Sequence, residues 1–296
     1  MRLGFLGSYG STAQTLRLAV AAEEAGWDGF FTWDGVSLTG SSGWDVAAEA
    51  GIDIWDPFVI LGAVAAQTSR IRLGALVFAP ARRQPWQLAR EALTVDHLSG
   101  GRLVLPVGIG AAEDAAVSGV RGGPRTARER AGALDEALSF LERAWSGEVF
   151  SHSGEHFGID DVQFLPGPVQ RPRVPVWPVG VWPAPRSMRR AARWDGVLLQ
   201  RRGSAGDAGP WRPPEVADAV TWLGEARARL RAEGLPVVEN FDVVLDGTLP
   251  ADRREASALV RGYAEAGATW FVESDWDPAS ATPEAQLERV LSGPPR

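Results

Sequence analysis

Strand-like apolar runs and helix-like runs alternate eight times along this chain, and no other feature of its 296 residues restricts the fold as much. The strand-like runs are Leu3–Leu6, Gly29–Trp33, Ile71–Phe78, Leu103–Ile109, Val174–Val181, Gly196–Leu199, Phe241–Leu245 and Thr269–Glu273. The helix-like runs are Thr12–Ala25, Pro57–Gln67, Trp86–Leu98, Thr126–Trp145, Pro185–Trp194, Pro214–Glu233, Ala251–Ala266 and Pro283–Leu291. Strands separated by helices predict a parallel sheet, because each helix carries the chain back along the sheet before the next strand begins. An open, doubly wound sheet usually shows G-x-G-x-x-G after its first strand. Here that position reads GSYGST, a poor match. Eight units in one chain of this length fit a closed (β/α)8 TIM barrel better, with residues 1–296 as a single domain.

Punctuation supports the alternation. Proline stands near several helix starts, and Gly26, Gly234 and Gly267 stand where helices should close. Two connections are long. The one from Asp34 to Asp56 follows a strand and so belongs to the catalytic face of a barrel. The other, Gly147 to Pro172, precedes a strand; its core VFSHSGEHFGIDDVQFLP alternates around a turn and predicts a small hairpin insertion over 148–172.

Composition removes whole classes of chemistry. There is no cysteine, so thiolate catalysis and Cys-ligated clusters are excluded. All 30 basic residues are arginine, which excludes Schiff-base chemistry on lysine. His152 and His156 fall in the hairpin, and His97 ends a helix, so no metal set emerges from the three histidines. A net charge of −7 speaks against a nucleic-acid partner. No apolar run approaches the ~18 residues of a membrane span. The start, MRLGFLGSYGS, reads as a first strand rather than a signal peptide, and a soluble cytoplasmic protein is expected.

A barrel places its chemistry at the C-terminal strand ends. Those ends carry Ser8 and Tyr9, Trp33 and Asp34, Phe78 to Arg83, Gly108 to Asp114, Gly180 to Trp182, Gln200 to Arg202, Asp246, and Ser274 to Trp276. They contain no nucleophile–base pair, and the carboxylates show no metal-ligand spacing. Trp33, Trp44, Trp182 and Trp276 suit a flat apolar ring. Arg82, Arg83, Arg121, Arg125, Arg186, Arg189, Arg190, Arg201 and Arg202 follow strands 3 to 6 and predict a local positive rim for an anionic, elongated ligand.

The segments AAEEAGWDGFFTWDG, TSRIRLG, RRQPWQLARE, DHLSGGRLVLPVGIG, RERAGALDEALSFLERAWSGEVFSHSGEHF, LPGPVQRPRVPVWPVG and RRAARWDGV carry a resemblance. Over most of Leu18 to Leu199 the chain resembles the luciferase-like flavin and deazaflavin oxidoreductases, above all actinobacterial members that use the deazaflavin coenzyme F420. The resemblance implies a non-prolyl cis peptide at Leu76–Val77 that supports the cofactor ring. It implies cofactor contacts from Gly108, Gly110, Asp114 and Gln200, and a cofactor phosphate near Gly180, Val181, Trp182 and Arg186. A homodimer is also implied. A substrate pocket is expected from Ser8, Trp33, Gly35, Trp44 and Trp276.

Two departures mark this chain. The family's second strand commonly ends Trp-Asp-His, whereas here Gly35 follows Trp33 and Asp34. Some deazaflavin dehydrogenases place a glutamate where Ala111 stands. Asp34 and Glu113 are therefore the candidate proton-handling residues, with Trp44, Asp45, Glu49 and Asp53 as further sources of replacement groups. Three readings follow: an F420-dependent oxidoreductase acting on a small organic molecule, an FMN-dependent monooxygenase fed by a separate reductase, and a non-redox protein on the same scaffold.

Overall fold

The computed structural model describes residues 1–37, 52–111, 114, 117, 120–201 and 210–296. Ten strands are present among them: β1 (Arg2–Leu6), β2 (Gly29–Thr32), β3 (Arg72–Ala75), β4 (Leu105–Val107), β5 (Phe150–Ser153), β6 (Gly158–Val162), β7 (Val176–Trp182), β8 (Gly196–Arg201), β9 (Asp242–Gly247) and β10 (Trp270–Glu273). The helices are α1 (Thr12–Glu24), α2 (Pro57–Gln67), α3 (Pro85–Leu98), α4 (Ala127–Ala144), α5 (Pro185–Ala192), α6 (Pro213–Ala232), α7 (Arg253–Glu265) and α8 (Pro283–Leu291), with a 3-10 turn at Pro80–Arg82. Five helices begin with proline at the first helical position, where the missing N–H costs nothing. Gly26, Gly234 and Gly267 take the positive φ that ends a helix.

Eight parallel strands run in the order β3-β2-β1-β10-β9-β8-β7-β4. Bridges from Leu73 to Leu103 and from Phe78 to Val107 then draw β3 against β4, which closes the sheet into the expected (β/α)8 barrel. Strands 3 and 4 are shorter than their apolar runs. Regular pairing of β3 stops at Ala75, whose neighbour Leu76 still donates its amide to the Thr32 carbonyl at 2.8 Å, and resumes as a single bridge at Phe78.

Side-chain alternation divides the apolar residues into two cores. The outer core lies between strands and helices; the inner one fills the barrel with Leu6, Phe31, Val104, Trp177, Trp270 and their neighbours. Phe31 touches both tryptophans, at 6.2 Å between ring centres in each case. Its ring fits because its own strand and the two beside it carry glycine: a Cβ at Gly29, Gly4 or Gly74 would stand 2.8, 2.7 or 2.9 Å from it.

The antiparallel pair β5–β6 falls within the predicted insertion. Glu136 of α4 fastens it, accepting the amides of His156 at 2.9 Å and Phe157 at 2.7 Å and contacting His152 Nε2 at 3.2 Å. The two histidines thus serve this attachment. Among the described residues no helix is long and apolar enough to cross a membrane, and no group of three metal-ligating side chains occurs.

Candidate active site

The break in β3 makes a ledge inside the barrel mouth. Ala75 and Phe78 belong to the outer core, whereas Leu76 and Val77 both pack on the inner one. Two consecutive inward residues cannot arise from regular strand alternation. The Leu76–Val77 peptide is cis, at the bond the resemblance singled out. Gly108 permits the arrangement from β4: a Cβ there would lie 2.8 Å from Val77 and 3.3 Å from Val179.

Asp34 lies beside this ledge, on the opposite face of its strand from Trp33. Its buried carboxylate pairs with Arg82 and with Arg83 at 2.8 Å, and it accepts the Ala79 amide at 3.2 Å. Arg83 continues to Asp56 at 3.1 Å and Glu91 at 3.5 Å. Arg82 reaches Asp114 at 3.7 Å, and Asp114 accepts the amides of Val36 and Ser37 at 3.2 Å each. This network, buried at Asp34 and Asp114 and more open at Asp56 and Glu91, ties the ends of β2, β3 and β4 to α2 and α3. It commits Asp34 to two guanidinium groups, a posture that suits an anchor and not the free proton carrier expected from the sequence. Asp114 likewise anchors the start of the long connection.

Across the mouth, Trp33 donates its indole N–H to the Ser8 carbonyl at 2.6 Å and meets Trp276 edge-on at 6.2 Å. Ser8 donates its hydroxyl to the Asp275 carbonyl at 2.6 Å, and Gln286 accepts its amide at 2.9 Å. Gly35 sits under the Trp33 ring: a Cβ would stand 2.6 Å from Cζ3. Ser8, Trp33, Gly35 and Trp276 are therefore one contiguous wall.

The same wall holds a carboxyl that the sequence ranked only among many. On β9 Val244 faces the inner core while Val243 and Leu245 face the outer one, so alternation points Asp246 inward. Ser274 Oγ donates to its Oδ2 at 3.3 Å, and the Trp276 side chain also hydrogen-bonds it. Burial pushes its pKa up to about 6, because these neutral donors do not offset the loss of water around the charge. An acidic residue at an inward position of the apolar run VVLDG was the available signal.

The end of β7 is arranged differently from expectation. Trp182 turns outward onto α6, edge-on to Trp222 at 6.5 Å. Gly180 also faces outward, where a Cβ would meet Val197 at 2.6 Å and Met188 at 2.8 Å, so this glycine admits α5 to the strand. The Val181 amide donates to Ser187 Oγ at 3.0 Å and its carbonyl accepts the Ala184 amide. Pro183 and Pro185 have no N–H, and helix geometry leaves the amides of Arg186 and Ser187 without an intrahelical acceptor at this turn. The arginine rim is partly neutralised: Arg190 pairs with Asp135 and Arg201 with Glu215 at 3.0 Å, while Arg121, Arg186 and Arg189 are exposed.

The model of a family described as luciferase-like monooxygenase matches residues 3–286. The chain belongs to that family. Among its relatives is an uncharacterised protein of Mycobacterium tuberculosis (strain ATCC 25618 / H37Rv), 33% identical over 64% of this chain and 61% of that protein. An F420-dependent glucose-6-phosphate dehydrogenase of Nakamurella multipartita is 31% identical over 64% of this chain and 52% of its own length. The match thus spans less than two thirds of these relatives. Among solved structures, an F420-dependent secondary alcohol dehydrogenase superposes with a TM-score of 0.72 at 15% identity, covering 98% of each chain. A long-chain alkane monooxygenase gives 0.76 at 13% identity, over 98% of this chain and 89% of that one. At such identities the likeness establishes the luciferase-like fold.

Within this luciferase-like barrel the sequence-derived site residues separate. Ser8, Trp33, Gly35 and Trp276 form the wall; Leu76, Val77 and Gly108 form the ledge; Gln200 is exposed at the end of β8. Gly110, at φ 79°, packs near Ala79 and turns the chain out of β4. Glu113 and Trp44, with Asp45, Glu49 and Arg202, lie outside the described residues.

Proposed function

We propose that this chain is an oxidoreductase that binds the deazaflavin coenzyme F420 at the barrel mouth and moves a hydride to or from a small, uncharged organic substrate. The observation that carries this reading is the ledge of Leu76 and Val77, packed in one inner cluster with Trp33 and Trp276, the latter hydrogen-bonded to the Asp246 carboxyl. The residues present fit the ring of such a coenzyme. The ledge offers a hydrophobic surface that Gly108 keeps low, and the opposite wall is aromatic with one polar group. Arg186, Ser187 and the amides of the first turn of α5 are the groups that would hold the coenzyme's phosphate. Bound there, the coenzyme supplies or accepts the hydride.

The protein's own work is positioning and exclusion of water. Trp33 and Trp276 wall the space beside the ledge, and Ser8 fixes Trp33 through its carbonyl. Arg82 and Arg83 are spent on Asp34, Asp56 and Asp114, so the inner mouth offers no free guanidinium from these two residues to a charged substrate. That supports an uncharged carbonyl compound or alcohol. The F420-dependent dehydrogenase names among the relatives support the coenzyme.

A second reading, FMN in the same place with reduced flavin delivered by a separate reductase, is favoured by the partly neutralised rim, which weakens the case for a long anionic tail. Titration of the purified protein with F420 and with FMN, followed by fluorescence, separates the two. Tight F420 binding with weak FMN binding is expected; binding of FMN alone would reject the proposal.

A further inference from the structure

We infer that Asp246 is the acid–base residue of the mouth, holding the proton that passes to or from the substrate oxygen. The inference rests on the proposed hydride chemistry but is carried by separate observations.

Asp246 combines three properties that no other described mouth carboxyl shares. It points into the barrel at the C-terminal end of β9, level with the wall of Ser274 and Trp276. The residue is only partly buried. Among the described residues, no guanidinium pairs with it. Among the described residues, the neighbours of Asp246 on the adjoining strands are as follows. Gly196, Leu198 and Gln200 of β8 are uncharged, and Arg201 turns to Glu215. On β10, Glu273 faces outward to Arg289 at 2.6 Å. Beyond it, Asp275 accepts the Ser280 hydroxyl at 2.6 Å and the Asp277 amide at 3.0 Å. The Tyr9 hydroxyl donates to the Trp276 carbonyl at 2.7 Å. Asp34 and Asp114, by contrast, are bound to arginine.

A carboxyl in apolar surroundings holds its proton to higher pH, which is what an acid working near neutrality needs. When a carbonyl carbon takes up a hydride with its two electrons from the reduced coenzyme, its oxygen gains the proton of Asp246. One O–H bond breaks on the carboxyl and one forms on the product alcohol. Solvent then reprotonates the carboxylate. In the reverse direction the carboxylate accepts the hydroxyl proton as the hydride leaves. The family resemblance led to Asp34 and Glu113 instead, because those stand close to the positions where Gly35 and Ala111 replace the expected groups.

The test uses the full-length protein with 13C-carboxyl-labelled aspartate. The Asp246 resonance is assigned by its loss in Asp246→Asn. In the unliganded protein it should titrate with a midpoint near 6, and Ser274→Ala should move that midpoint higher by removing a donor to the carboxylate. Saturation with cyclohexanone, a neutral carbonyl probe, should raise it further by about half a unit or more, since the protonated form donates to the ketone. A midpoint in the ordinary aspartate range, or no response to the ketone, overturns the inference. Coenzyme binding is measured separately on the same samples. Loss of F420 and FMN binding in the wild type would sink the functional reading while leaving the carboxyl titration decisive for Asp246.

Discussion

Gly35 shows how one small side chain reshapes the mouth. Its Cα lies so close to the Trp33 ring that even a methyl group collides. Gly35→His is therefore expected to displace Trp33 from the Ser8 carbonyl and from Trp276, at a cost of about 1–3 kcal/mol. Near-UV circular dichroism and urea unfolding would read both effects; an unchanged aromatic spectrum would contradict the packing described. Asp34 tests its ion cluster in the same way. Asp34→Asn leaves Arg82 and Arg83 short of a buried counter-charge and should destabilise the fold by about 3–5 kcal/mol. Asp246 has the opposite sign. Its folded pKa lies above the ordinary aspartate value, so the carboxyl destabilises the fold increasingly as pH rises through about 6. The stability of Asp246→Asn relative to wild type should thus improve between pH 4 and pH 8, on the order of 2–3 kcal/mol in urea unfolding. A relative stability independent of pH would show the carboxyl to be well solvated.

At the scale of elements, the helices obey local chemistry and the strands do not. Proline at N1 and glycine after the last turn fixed helix ends to within a residue or two of the sequence expectation, because those signals act through backbone sterics alone. The two strands flanking α3 are shorter than their apolar runs. An apolar run says that residues face a core, but not whether each one pairs as a strand, and Leu76 and Val77 pack on the inner core without a strand pairing of their own. The hairpin β5–β6 was legible from its alternation, whereas its anchor, Glu136 on α4, was not, since the contact spans 16 to 21 residues of chain. Burial raises the Glu136 pKa, but the His156 and Phe157 amides and His152 outweigh it, so the net shift is downward. The stabilisation it gives is present above the ordinary glutamate value and is lost as pH falls through its lowered folded value. Glu136→Ala should cost about 1–3 kcal/mol and speed limited proteolysis within 150–162. Equal proteolysis rates for wild type and variant would mean the hairpin is held by other contacts.

Across the whole molecule, barrel closure depends on space as much as on pairing. Gly4, Gly29 and Gly74 come from three neighbouring strands and give up their side-chain volume to one phenylalanine. Gly74→Ala would push against Phe31 and the Val104 carbonyl and should lower stability by about 1–3 kcal/mol with little change in secondary structure by far-UV circular dichroism. The sequence by itself determined the eightfold alternation, the parallel barrel, the hairpin and the family, because hydrophobic period and turn chemistry are written in neighbouring residues. It also pointed to the strand ends, which in a barrel converge whatever their identity, although Gly180 and Trp182 at one of them turn outward. Which carboxyl stands beside arginine and which stands alone was decided only in three dimensions. Asp34 and Asp246 look alike in sequence, each closing an apolar strand. One meets Arg82 and Arg83 and the other meets Ser274 and Trp276, and the charge of the neighbours, not of the residue, sets what each can do.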